Sequence, residues 1–304
     1  MRVSFSKASA TMQVISDRDR PATSTTVLDR SIGDIFRGAH KLTVDQSEQV
    51  VAHQEQHGVR FGAAAVALGF INEDDVLWAL SQQFHYPYAP ESQRHENPEL
   101  VIASDPFGER AEVFRDLCSQ VSMSPAEPGR PRRAFAVVSP DSGDGKSYTA
   151  ANLAVAFSQI GGRTVLVDAD MRSPRQHEIF GIDSDAGLST LLAGRTKLDV
   201  IHSVHNLPSL FVLPVGIVPP NPMELLQRPA FNLLMQELLS KFDHVVVDTP
   251  ALARGADARV IAARCGAAIA VGRKDTTDMA SMNRLVGELR AGRTQLLGVV
   301  MNEH

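Results

Sequence analysis

Residues 140–154, PDSGDGKSYTAANLA, follow the apolar run AFAVVS and lead into residues that favour helix. Two glycines, a lysine and a serine where a strand hands over to a helix suit phosphate. Gly143 and Gly145 let the backbone come close to a ligand and adopt positive φ. The successive N–H groups of Ser142, Gly143, Asp144, Gly145, Lys146, Ser147 and Tyr148 can then curl around phosphate oxygens. In such a loop the Lys146 ammonium serves the β and γ phosphates and the Ser147 hydroxyl serves Mg²⁺. The strict pattern GxxxxGK[ST] has glycine where this chain has Pro140.

Two more apolar runs end in carboxylates. VVVDTP delivers Asp248, the type and place of a group that holds Mg²⁺, usually through water. VLVDADMR delivers Asp168 and Asp170 and then Arg172; Asp168 is a second candidate for the cation. A lone carboxylate at a strand end more often caps a turn or helix, and Arg172 could simply pair with a neighbouring acid. Ligands of open α/β sheets, however, bind outside the carboxyl ends of the strands, so all three clusters are expected to converge on one nucleotide.

The elements that must position them are legible. AFAVVS (134–139), TVLVDA (164–169), LFVLPV (210–215), HVVVDT (244–249), AAIAVG (267–272) and LLGVVM (296–301) are nearly continuous apolar runs. Such strands are covered on both faces, as in a parallel sheet. Helical stretches such as SYTAANLAVAFSQI and AFNLLMQELLSKF separate several of them. The expected fold is α/β: a P-loop NTPase with a mostly parallel, doubly wound sheet.

Upstream, residues 31–54 and 60–83 align without gaps, each position paired with one 29 residues later: Gly33 with Gly62, Phe36 with Ala65, Val51 with Leu80. Each copy reads as a short helix, a turn and a second helix opened by Thr43 or Asn72. The expected organisation is a flexible tail (1–26), a small helical tandem-repeat domain (27–90), a linker (91–103) and the nucleotide domain (104–304).

A net charge of −5 with scattered lysines and arginines leaves no broad basic face, which argues against nucleic acid. Cys118 and Cys265 have no CxxC spacing and offer neither a disulfide framework nor a zinc site. His53 with His57, and His202 with His205, lack an acidic third ligand nearby. Trp78 is expected in the helical core. No apolar run reaches the roughly 18 residues that span a bilayer, so a cytoplasmic protein is expected.

Together, SPDSGDGKS, VLVDADMR and VVVDTP resemble the motifs of the bacterial tyrosine kinases, and PPNPMELL (219–226) is similar to the segment after that family's third strand. The resemblance covers residues 104–304. It implies ATP and Mg²⁺ as cofactors, phosphate binding by Lys146, Mg²⁺ held through Ser147, Asp168 and Asp248, and Asp168, then Asp170, as base or water-positioner. Asn302 matches a position that touches adenine in related ATPases. The partition ATPases carry a second lysine where this chain has Asp141. The extra N-terminal domain resembles the arrangement in chain-length-determinant kinases of exopolysaccharide operons. That implies a membrane-embedded polysaccharide co-polymerase as partner, which could recruit the protein to the inner membrane.

Two features depart from the family. Its C-terminal tyrosine cluster has no counterpart in the closing GVVMNEH, and the chain's tyrosines are Tyr86, Tyr88 and Tyr148. Tyr148 is expected to pack, whereas Tyr86 and Tyr88 could accept phosphate or clasp the linker. The family's ExxRxxR helix, which mediates homo-oligomer contacts, is matched by Glu112 and Arg115 but has Cys118 in place of the last arginine. The tandem repeat resembles the amino-terminal domain of type II secretion and pilus ATPases, some of which bind cyclic di-GMP. Arg60, Phe61, Gly62, Gly69 and Gln83 fit that motif, while Ser31, His40 and Ser47 erode its first copy. An ATP-hydrolysing switch without kinase activity, and a nucleotide-sensing module that turns nothing over, are the alternatives.

Overall fold

A computed structural model describes residues 31–83, 97–123, 134–183, 185–195 and 200–303. Tyr86, Tyr88, residues 1–26 and the first part of the expected linker lie outside the described residues. The rest falls into two compact units, residues 31–83 and 97–303.

The first unit is four helices: α1 (Ile32–Gly38), α2 (Val44–His57), α3 (Phe61–Ala67) and α4 (Glu73–Gln83). The 29-residue repeat maps α1 onto α3 and α2 onto α4. Equivalent positions fill one small core: Phe36 and Ala65, Leu42 and Ile71, Val50 and Ala79 are all buried. Trp78 packs against that core, half-buried, with the Lys41 ammonium over its ring at 5.2 Å. The helix starts are duplicated too. Gln46 N–H donates to Thr43 Oγ1 at 3.2 Å, and Asp75 N–H donates to Asn72 Oδ1 at 2.7 Å; each side chain returns the bond, giving two capping boxes. The turns correspond as well, but Gly69 (φ 71°) has His40 (φ 56°) as its partner, a Cβ-bearing residue in the left-handed region.

The second unit opens with α5 (Val101–Ser104) and α6 (Glu109–Met123). Residues 97–103, expected to end the linker, are instead part of this unit. Leu100, Val101 and Ile102 are buried, and Asn152 Nδ2 donates to Glu99 O at 2.7 Å. Burial of that apolar triplet outweighs the polar composition upstream of it. Seven strands follow: β1 (Ala134–Val138), β2 (Thr164–Asp168), β3 (His202–Val204), β4 (Leu207–Leu213), β5 (His244–Asp248), β6 (Gly266–Arg273) and β7 (Gln295–Asn302). Their order is β3-β4-β2-β5-β1-β6-β7, and every pair is parallel except the β3–β4 hairpin. β3, three residues with one exposed and one half-buried, carries too little apolar signal to be read from sequence.

Alternation along the strands feeds two cores. On β1, Ala134, Ala136 and Val138 face one, and Phe135 and Val137 the other. The second holds α7 (Lys146–Gln159), buried over most of its surface, with α5 and α6 outside it. The first is covered by α11 (Pro229–Lys241), α12 (Asp257–Cys265) and α13 (Met279–Ala291). Short helices α8 (Gln176–Phe180), α9 (Leu188–Leu192) and α10 (Pro222–Leu226) sit in the connections.

Candidate functional site

The three chemical motifs stand on three adjacent strands. β5 lies between β1 and β2, so the phosphate-type loop leaves one neighbour of Asp248 and the Asp168 loop leaves the other. Asp168 and Asp248 are register partners, and parallel neighbours stand about 4.8 Å apart. Convergence is therefore a property of the sheet.

The loop after β1 is braced from several sides. Gly143 and Gly145 adopt φ of 90° and 97°, and a Cβ on Gly145 would stand 2.1 Å from Asn302 Nδ2. That amide donates to Asp144 O at 3.1 Å, so Asn302 at the end of β7 clamps the loop. Asp144 is buried; Oδ2 accepts from Asp141 N–H at 2.8 Å and Oδ1 from Thr277 Oγ1 at 2.8 Å. Its carboxylate shapes the loop, leaving its backbone for a ligand. Ser142 Oγ accepts from Arg254 Nε at 3.2 Å. Lys146 is buried and donates to Ser139 Oγ at 3.1 Å. Tyr148 packs edge-on against Phe114, ring centroids 5.7 Å apart, and burial raises its phenol pKa.

Asp168 is wholly buried, and its oxygens accept backbone N–H groups from Asp170, Arg175 and Gln176 at 3.1, 3.2 and 3.0 Å. Burial nevertheless holds its carboxyl well above the usual carboxylate range, with the Asp248 charge adding to the rise and the N–H groups opposing it. Asp170 Oδ1 accepts from Arg172 N–H at 3.1 Å and Ser173 N–H at 2.9 Å. The Arg172 guanidinium is paired with Asp257, the first residue of α12.

Asp248 is also wholly buried, which pushes its carboxyl up to about 6 although Gln176, Ser147 and Lys146 draw it down. Its Oδ2 accepts from Gln176 Nε2 at 2.8 Å, while Oδ1 is buried with no hydrogen-bond partner. An orphan anionic oxygen beside the serine that ends a phosphate-type loop fits a cation. Among the described residues no three His, Cys, Asp or Glu side chains gather into a metal cluster. That also fits Mg²⁺, which is commonly held by one or two carboxylates with waters and phosphate oxygens.

Gln176 and Asp257 are among the site residues that sequence reasoning missed. Neither stands in a motif, and a glutamine four residues past Arg172 gives no charge signal. Next to the loop, a groove of about 580 Å³ runs between Pro140, Asp141 and the turn at Leu252–Arg254 on one side and Arg259, Arg284 and Glu288 on the other. Among the described residues no helix is long and apolar enough to cross a membrane.

Residues 135–304 match the CobQ/CobB/MinD/ParA nucleotide binding domain family. The chain is 30% identical over 203 residues to the tyrosine-protein kinase YwqD of Bacillus subtilis, covering 67% of this chain and 85% of that protein. The chain belongs to the bacterial tyrosine kinases. The solved kinase domain of the Escherichia coli tyrosine kinase ETK is 25% identical, covering 67% of this chain and 79% of its own, with a TM-score of 0.63. The septum site-determining protein MinD of Pyrococcus horikoshii, complexed with Mg-ADP, is 25% identical over 57% of this chain and 70% of its own, with a TM-score of 0.50. As expected from its motifs, this bacterial tyrosine kinase is built on the P-loop fold that MinD shares. The family match begins at residue 135, and the helical unit lies wholly upstream of it.

On α6, Arg115 Nη1 donates to Glu112 Oε2 at 2.8 Å, and Cys118 is buried with Sγ directed at Leu153 O. Position 118 thus faces the kinase's own core.

Proposed function

We propose that the chain is an ATP- and Mg²⁺-dependent protein-tyrosine kinase that regulates chain length, polymerisation or export of an exopolysaccharide beside a membrane-embedded polysaccharide co-polymerase. The observation that carries this is the unpartnered, buried Oδ1 of Asp248 beside Ser147, between the glycine loop and the Asp168 loop. The relatives' names as tyrosine-protein kinases supply the reaction class.

In this proposal the backbone N–H groups from Ser142 to Ser147 bind phosphate oxygens and Lys146 neutralises them. Ser147, Asp248 and Asp168 would hold the cation. ATP with Mg²⁺ supplies the transferable γ-phosphoryl group and a stabilised diphosphate leaving group. Asp168, with Asp170 second, takes the proton of the acceptor tyrosine hydroxyl. Arg172, paired with Asp257 in this structure, turns to the phosphates when that pair opens. Positioning and charge stabilisation carry phosphoryl transfer, so no covalent enzyme intermediate is required.

The helical unit serves as a docking module in this proposal. The comparisons lend cyclic di-GMP no support; the alternative that Arg60 binds it is decided by titration of the chain and its Arg60→Ala variant.

The test is incubation with γ-labelled ATP and Mg²⁺, alone and with the cytoplasmic tail of the membrane partner. Label on tyrosine that falls at least ~100-fold in Lys146→Ala and Asp168→Asn supports the kinase. Free phosphate without labelled protein supports a MinD-like switch, and neither product supports a binding module.

A further inference from the structure

Gln176 is completely buried and joins the three motif loops. Its N–H donates to Asp168 Oδ2 at 3.0 Å; its Nε2 donates to Asp248 Oδ2 at 2.8 Å and to Ser147 O at 3.1 Å. Its remaining side-chain polar atom, Oε1, is buried with no donor, as is Oδ1 of Asp248. Buried acceptors left open are uncommon, and each is costly when it stays so. Two of them on hydrogen-bonded neighbours, beside Ser147, mark a place for something rich in donors or positive charge. A hydrated cation is both, because Mg²⁺ keeps several of its waters when bound.

Resting on the assignment of Ser147 and Asp248 to Mg²⁺, we propose that Gln176 is a positioning residue of the metal site. Its Nε2 fixes Asp248 through Oδ2 so that Oδ1 stays turned to the cation, and its Oε1 accepts a hydrogen bond from a water of the cation's shell. The amide thereby couples the Asp168 loop to metal occupancy: the same residue that holds Asp248 also supplies a backbone N–H to Asp168.

The test is Mg²⁺ titration of the binding of a fluorescent ADP analogue to the full chain, with the same binding measured in EDTA. Gln176→Met keeps the volume and removes both polar atoms. It should raise the Mg²⁺ midpoint about 10- to 100-fold, the usual cost of losing a residue that orients a metal ligand, while affinity in EDTA stays near wild type. Gln176→Ala, which leaves room for a water to replace the amide, should fall between the two and covers a failure of Gln176→Met to fold. An unchanged midpoint, or an equal loss in EDTA, overturns the proposal. Asp248→Asn separates the layers. If it too leaves the midpoint unchanged, the metal assignment itself fails; if it raises the midpoint and Gln176→Met does not, only the role of Gln176 fails.

Discussion

The buried carboxylates make the site costly to the empty protein. Asp248 titrates near 6 in the fold against about 4 in an unfolded chain. The folded state therefore binds more protons between those values, and stability contributed by the protonated form is lost as pH rises through 6. Two pKa units correspond to about 3 kcal/mol at neutral pH. Asp248→Asn should raise the melting temperature of the ligand-free protein at pH 7.5, leave it nearly unchanged at pH 4, and abolish phosphoryl transfer. A melting series across pH checks this, and coincident curves would contradict it. Gly145 is constrained differently, by φ of 97° and by the Asn302 amide. Gly145→Ala should weaken nucleotide binding about tenfold or more, from strain on the order of 1–3 kcal/mol, with the circular dichroism spectrum intact.

Among the elements, the motif-bearing strands were readable because a parallel strand covered on both faces must be apolar throughout. β1, β2 and β5 lie within a residue of the runs that name them. The β3–β4 hairpin was not readable, since its three-residue arm is only partly buried. Of the site, the charged and glycine positions were legible. Gln176 was not, because a neutral amide acquires its role only when the fold brings β5 and α7 to it. The same limit hid the bracing of Asp144 by Thr277, 133 positions away. The repeat was legible down to its caps, which gives two predictions. Thr43→Ala should destabilise the helical unit by about 1 kcal/mol through loss of its capping box. His40→Gly should stabilise it by about 1 kcal/mol, because the left-handed turn costs a side-chain-bearing residue roughly that much. Urea denaturation followed by the single Trp78 measures both.

At the scale of the whole molecule, two compact units with separate cores predict two unfolding transitions in calorimetry. ADP with Mg²⁺ should move only one of them, because a ligand stabilises only the unit that binds it; a single transition shifted as one would refute this. In the nucleotide unit, the pairing of Asp168 with Asp248 across β2 and β5 is written into a ladder of backbone hydrogen bonds. Sliding one strand past the other by a single residue would turn one of those acids to the opposite side of the sheet. Catalytic competence should therefore appear abruptly during refolding, with the last central strand to join, and no nascent chain that lacks β5 could consume ATP prematurely.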